Sequence, residues 1–294
     1  MIDWGNTGLE FKIIVLAGLV LAVIALCSFI RLIVYYINSI RNVYVPDDGL
    51  SVDVAYFREK GKRKNQEDDF YISPLPDYKQ SGVVACVSDG MGGLKYGEQI
   101  SQYVVDRVAK LWPISFFASE QTSESIRDIS DDIFKMYSMK GGATLAMVHI
   151  CNGYMHFYSV GDSNIILIRD GKATILNQKQ NYAVHLIKTL VRNGKTTQVA
   201  YGNSKTRALT DFVGNHNTRV IYTNRPMKVY DGDTVVVCSD GVTDSVPTEI
   251  IAQYCSKHSA QNTASNIKMS VKLHRNKRQD NYTGVVVKLS RSLV

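Results

Sequence analysis

The sequence predicts an α+β domain of antiparallel sheets with helices packed outside them, preceded by one N-terminal membrane helix. Three observations predict it. Strand-length apolar runs follow one another, with hairpin punctuation at Asn152-Gly153 and Asp170-Gly171. Hairpin-connected strands outnumber helical crossovers, which argues against a doubly wound parallel sheet. An uncharged apolar stretch over residues 13–30 stands ahead of the rest.

The apolar stretch continues past Arg31 into residues 32–37, with Tyr35 and Tyr36 at an interfacial position. A helix of about 20 such residues spans a bilayer. A cleaved signal peptide is the rival reading, with a shorter apolar region and a small-residue cleavage site. Asp3, Glu10 and Lys12 precede the stretch; Arg31, Arg41, Arg58, Lys60, Lys62, Arg63 and Lys64 follow it. Positive flanks stay inside, so the expectation is a single-pass protein of the cell (inner) membrane with its folded domain in the cytoplasm. The chain then divides into an anchor over 1–41, a linker over 42–50 broken by Pro46 and Gly49, and a folded domain over 51–294.

Within that domain strands are expected over 52–57 and 82–87. Ile100, Val104, Val108 and Leu111 recur at helical spacing in 98–111, and 123–137 reads as a second helix. Strands over 143–150, 154–160, 165–168 and 173–176 follow, then a helix over 182–192. Strands near Val220 and over 234–238, two helices across 248–273 and a last strand over 284–289 complete the chain.

Composition narrows the function classes. With 294 residues, 45% of them hydrophobic, the chain can bury a sizeable core. The net charge of +7 suits an anionic partner, but no dense basic stripe covers a helix, and no nucleic acid is expected. The five cysteines are odd in number and lack CxxC spacing, which speaks against structural zinc and a disulfide framework. His149 and His156 read as strand residues, and His185, His216, His258 and His274 as surface residues.

One motif occurs twice. Residues 84–90 (Val-Ala-Cys-Val-Ser-Asp-Gly) resemble residues 236–241 (Val-Val-Cys-Ser-Asp-Gly). In each, a buried strand fixes the backbone, the Asp projects from its end, and the Gly permits a sharp turn. Two carboxylates presented to one point repel, so a cation is the natural occupant. Glu67-Asp68-Asp69, just before a possible strand, and Asp280, shortly before the last one, add further carboxylates. Oxygen donors without nearby His or Cys select Mg2+ or Mn2+.

Arg63-x-x-x-Glu67-Asp68, Ser88-Asp89-Gly90-Met91-Gly92-Gly93, Gly142-Ala143-Thr144, Val160-Gly161-Asp162-Ser163, Ser239-Asp240-Gly241-Val242-Thr243-Asp244 and Asp280-Asn281 together resemble the metal-dependent protein phosphatases of the PPM, or protein phosphatase 2C-like, family, in its bacterial form. The resemblance covers about residues 51–289. It implies a four-layer α-β-β-α sandwich with two antiparallel sheets. It implies that Asp89 bridges two metal ions, that the Gly90 carbonyl also ligates, and that Asp240 and Asp280 complete one shell. Glu67 and Asp68 would lie near the other ion, Asp162 and Asp244 would hold a weaker third, and Arg63 would bind the substrate phosphate. The implied reaction is hydrolysis of phosphoserine or phosphothreonine by a hydroxide bridging two dications, with Asp89, Asp240 and Arg63 as the catalytic set.

Departures from the family pattern are Met91, where animal members often carry His, and Asn164, where Arg is usual. The run Gln66-Glu67-Asp68-Asp69 leaves a one-residue register alternative. The implied partners are a phosphoprotein made by a Ser/Thr kinase and, through the anchor, a membrane. A membrane-tethered pseudophosphatase that binds phosphoproteins is the alternative, and tyrosine or small-molecule substrates also stay open. The polar stretch 181–210 corresponds to a flap beside the site in the family. The basic cluster Lys272, Arg275, Lys277 and Arg278 is open between anion attraction and a solvated turn.

Overall fold

A computed structural model describes residues 49–91, 95–194, 206–256, 258–274 and 279–291, with scattered residues between 8 and 30. The chain divides into two compact units, Met1–Pro46 and Asp47–Val294. In the first, residues 25–30 are helical, and Leu26, Phe29 and Ile30 are exposed. The span expected over 13–37 lies largely outside the described residues. Among the described residues no helix is long and apolar enough to cross a membrane.

The second unit runs β1 (Leu50–Glu59), β2 (Asp68–Ile72), β3 (Val83–Asp89), α1 (Gly97–Leu111), α2 (Ser119–Tyr137), β4 (Leu145–Cys151), β5 (Tyr154–Val160), β6 (Asn164–Arg169), β7 (Lys172–Ile175) and α3 (Tyr182–Arg192). It continues with β8 (Ile221–Tyr222), β9 (Met227–Lys228), β10 (Thr234–Cys238), α4 (Asp240–Thr243), α5 (Thr248–Cys255), α6 (Ala260–Leu273) and β11 (Tyr282–Arg291). The first sheet has the order β1-β11-β10-β6-β7. The second has the order β2-β3-β4-β5-β8, with β9 also on β5. Every pairing is antiparallel.

Side-chain alternation sorts the layers. In β3, Val83, Ala85 and Val87 enter the core between the sheets with Val235 and Val237 of β10. Val84 and Cys86 point the other way, onto Ile100 and Val104 of α1 and Ile126 of α2. Val236 and Cys238 of β10 pack on Ile251 of α5 and Ile267 of α6. Helices therefore cover both outer faces, giving four layers. Both strands read as continuous apolar runs because both faces are buried. Each buried Val there contributes on the order of 1.5–3 kcal/mol, which holds the strand ends in place.

Several expectations shift at their edges. Asp68 and Asp69 are the first two residues of β2 rather than a loop before it, because pairing with β3 starts at the carboxylates, with Asp68 opposite Asp89. β1 begins at Leu50, inside the expected linker, because Leu50 pairs with Arg291 of a longer β11. The helix over 182–192 starts where expected: the Asn181 side chain accepts from Val184 N at 3.2 Å and caps it.

Candidate active site

The two Ser-Asp-Gly motifs end neighbouring strands of different sheets, and the structure holds each by a different route. In the first, Asp89 is the last residue of β3. Its N–H donates to Thr144 Oγ1 at 3.1 Å, its carbonyl accepts from Thr144 N at 2.8 Å, and Ser88 Oγ donates to Thr144 O at 2.8 Å. Thr144 Oγ1 also lies 2.6 Å from Ser163 Oγ, beside Asp162. The Gly142-Ala143-Thr144 segment thus joins Asp89 to the Asp162 turn. Gly90 N donates to Glu67 O at 2.9 Å, and a Cβ on Gly90 would stand 2.3 Å from the Gly97 carbonyl oxygen. Only glycine lets those three backbones meet.

In the second motif, Asp240 opens the short helix α4. Ser239 Oγ donates to Asp68 Oδ2 at 2.8 Å and accepts from Thr283 N at 3.1 Å. One hydroxyl therefore ties the first sheet to the acidic end of the second. A Cβ on Gly241 would come within 2.0 Å of the Asn281 carbonyl oxygen, so the Asp280 turn packs directly on α4.

Electrostatics unites the carboxyl groups. Asp68 is fully buried, and burial pushes its pKa up to about 6, assisted by Asp280. Asp240 is pushed up to about 7 by burial, then by Asp162, Asp244 and Asp280. Asp89 is held well above the ordinary range by burial, then by Asp68, Asp240, Asp280 and Asp162. Burial also raises Glu67 and Asp162. Asp280 acts as a like charge on Glu67, Asp68, Asp89 and Asp240, and Asp162 on Asp89 and Asp240, which links them electrostatically.

Arg63 Nη2 donates to Asp280 Oδ2 at 2.6 Å, at the mouth of this cluster. Asp244 lies one turn after Asp240, its backbone N–H donating to Asp240 O at 2.8 Å, and its carboxylate pairs with Arg207 at 3.0 Å. Among the described residues, no group of three or more His, Cys, Asp or Glu side chains stands ready to hold an ion. Arg63 takes one oxygen of Asp280 and Ser239 one of Asp68. The residues nevertheless suit a hard cation. Asp68 Oδ1 is buried without a hydrogen-bond partner, and the surrounding donors are all oxygen.

Two contributors carried no sequence signal. Lys179 offsets the charge of Asp162 and Asp240. The buried Gln180 accepts from Gly161 N at 2.7 Å and donates to Arg219 O at 2.8 Å, fixing the Asp162 turn. Met91 packs at Gly142: a Cβ there would meet Met91 Sδ at 2.8 Å. Asn164 is buried and donates to Thr243 Oγ1 at 2.9 Å, a packing contact. His149 and His156 are buried cross-strand partners away from the motifs. Burial lowers His149 to about 4. His185, His216, His258 and His274 are exposed. Gly92, Gly93, residues 195–205 of the flap region, and Arg275, Lys277 and Arg278 lie outside the described residues.

Comparison with known proteins points the same way. Residues 62–275 match the protein phosphatase 2C family. The serine/threonine protein phosphatase PstP of Mycobacterium tuberculosis is 25% identical over 205 residues, which are 65% of this chain and 36% of PstP. The chain thus spans about a third of the length of that relative. The Streptococcus agalactiae serine/threonine phosphatase structure superposes with a TM-score of 0.70 at 21% identity, over 81% of this chain and 99% of that one. The PstP catalytic domain in complex with two manganese ions superposes with a TM-score of 0.66 at 24% identity, over 82% and 99%.

Proposed function

The chain belongs to the protein phosphatase 2C family, and from that premise we propose that it is a metal-dependent serine/threonine protein phosphatase. The observation that carries this reading is the Ser239–Asp68 bond at 2.8 Å, which brings the Asp68–Asp89 pair and the Asp240 motif into one acidic site. In this reading Asp89, Asp240 and Asp280, with Glu67, Asp68 and the Gly90 carbonyl, hold two Mg2+ or Mn2+ ions. Asp162 and Asp244 are the candidates for a weaker third. When bound, such ions supply Lewis acidity and lower the pKa of water.

The chain's own groups do the rest. The carboxylates would hold the ions from the ends of buried strands. The Arg63 guanidinium, free to leave the exposed Asp280 oxygen, meets the phosphoryl oxygens with its planar fork. Water attacks phosphorus in line, the P–O bond to the serine or threonine oxygen breaks, and that oxygen takes up a proton from solvent as the hydroxyl, without a phosphoenzyme. Cys86, Cys238 and Cys255 thiols are each pushed by burial to about 12, so these three offer no thiolate nucleophile near neutral pH.

The apolar stretch 13–30 and its positive C-terminal flank support a membrane anchor over 1–41 with a cytoplasmic domain. A reporter fused after Val294 should be active only in the cytoplasm; activity outside would overturn that orientation. For the chemistry, folded protein loaded with Mn2+ should release phosphate from a phosphothreonine peptide, and Asp89→Asn should abolish it. Failure to bind Mn2+ at all would favour a phosphoprotein-binding scaffold instead.

A further inference from the structure

The carboxamide of Asn281 is fully used, and all its partners lie on one loop. Its Oδ1 accepts from Glu67 N at 2.9 Å; its Nδ2 donates to Lys60 O at 2.7 Å and to Asn65 O at 3.0 Å. The residue is 3% exposed. Its own N–H donates to Asp280 Oδ1 at 2.9 Å, while Arg63, within that loop, holds Asp280 Oδ2. The backbone around it is equally tight. A Cβ on Gly61 would stand 2.1 Å from the Asp280 carbonyl oxygen, and Lys62 N donates to Gln279 O at 3.1 Å.

Residues 60–67 contain turns and bends but no helix or strand. Their course is therefore set by what they bond to, and one side chain supplies three of those bonds. Only an amide fits: the loop offers one donor and two acceptors, and a carboxylate of the same shape accepts but cannot donate. A guanidinium that must meet a phosphoryl group through paired hydrogen bonds needs its backbone held to within about 0.5 Å.

We propose that Asn281 is a positioning residue for phosphate recognition, setting loop 60–67 so that the Arg63 guanidinium meets the phosphoryl group. This rests on the phosphatase reading above. Asn281 touches neither substrate nor ion in this role; it acts through Arg63.

The test uses the full chain with saturating Mn2+ and a phosphothreonine peptide, in wild type, Asn281→Asp, Arg63→Ala and the double variant. Asn281→Asp keeps the acceptor for Glu67 N but turns the donor against two carbonyls. The expected result is a KM raised roughly tenfold with kcat within about threefold of wild type. In the double variant KM should equal that of Arg63→Ala within about twofold, because the two residues act as one unit. Hydrogen exchange of the metal-free chain should quicken roughly tenfold in residues 60–67 of Asn281→Asp and stay unchanged in β4. An unchanged KM, multiplicative effects in the double variant, or unchanged exchange in the loop would each overturn the proposal. Should Asn281→Asp fail to fold, Asn281→Ser carries the same comparison. A wild type that hydrolyses no phosphopeptide overturns the phosphatase reading and the recognition role with it. Exchange then still decides whether Asn281 holds the loop.

Discussion

Ser88-Asp89-Gly90 and Ser239-Asp240-Gly241 are near copies in sequence and unequal in structure. The first stays within its own sheet: Ser88 bonds the neighbouring strand's entry at Thr144, and Asp89 ends as a strand residue opposite Asp68. The second reaches across: Ser239 bonds Asp68 of the other sheet, and Asp240 turns at once into α4. A shared local pattern fixes where each carboxylate emerges. The neighbours, far away in sequence, decide what each serine does.

Substituting the two aspartates breaks the comparison most severely. Asp89→Asn removes the carboxylate that feels Asp68, Asp240, Asp280 and Asp162 together and should lower Mn2+-dependent turnover by roughly a thousandfold or more. Asp240→Asn should cost less, about a hundredfold, since in the proposed site Asp280 would remain as a ligand of the same ion. Steady-state rates with a phosphothreonine peptide measure both.

The serines sharpen it. Ser239→Ala strands Asp68 Oδ2 in a buried site and should destabilise by about 1–3 kcal/mol. It should also weaken Mn2+ binding several-fold. Ser88→Ala removes one bond to a carbonyl, should cost about 1 kcal/mol, and should leave Mn2+ affinity unchanged. Denaturant unfolding and calorimetry separate the two.

The smallest expected effect lies in pH. Asp68 and Asp240 are raised to about 6 and about 7. A raised carboxyl binds its proton more tightly in the folded chain, so its stabilisation is full below the unfolded value near 4 and is lost as pH climbs through 6 to 7. The Tm of the metal-free chain should therefore fall modestly from pH 5 to pH 8. Saturating Mn2+ should flatten or reverse that slope, because it replaces the protons.

Much of this was legible because it is local. The apolar run at 234–238 becomes β10 without change of bounds, and the helix expected over 182–192 becomes α3. Asp89 and Asp240 are legible because strand burial and Asp-Gly turns mark them. What was not legible depends on distance along the chain. Nothing near Ser239 announces its bond to Asp68, nor does anything near Gln180 announce its hold on the Asp162 turn. The start of β2 at Asp68 follows from pairing with β3, which no window around Glu67 contains. Short β9, placed by its contact with β5, is hidden for the same reason.

If the two motifs, from two sheets, make one cation site, substitutions in them must couple. A calorimetric double-variant cycle with Mn2+ on wild type, Asp89→Asn, Asp240→Asn and the double variant tests it most directly. Wild type should bind Mn2+ tightly, and the losses should fail to add, with a coupling above about 1 kcal/mol. Additive losses, or a wild type that binds no Mn2+, would contradict it.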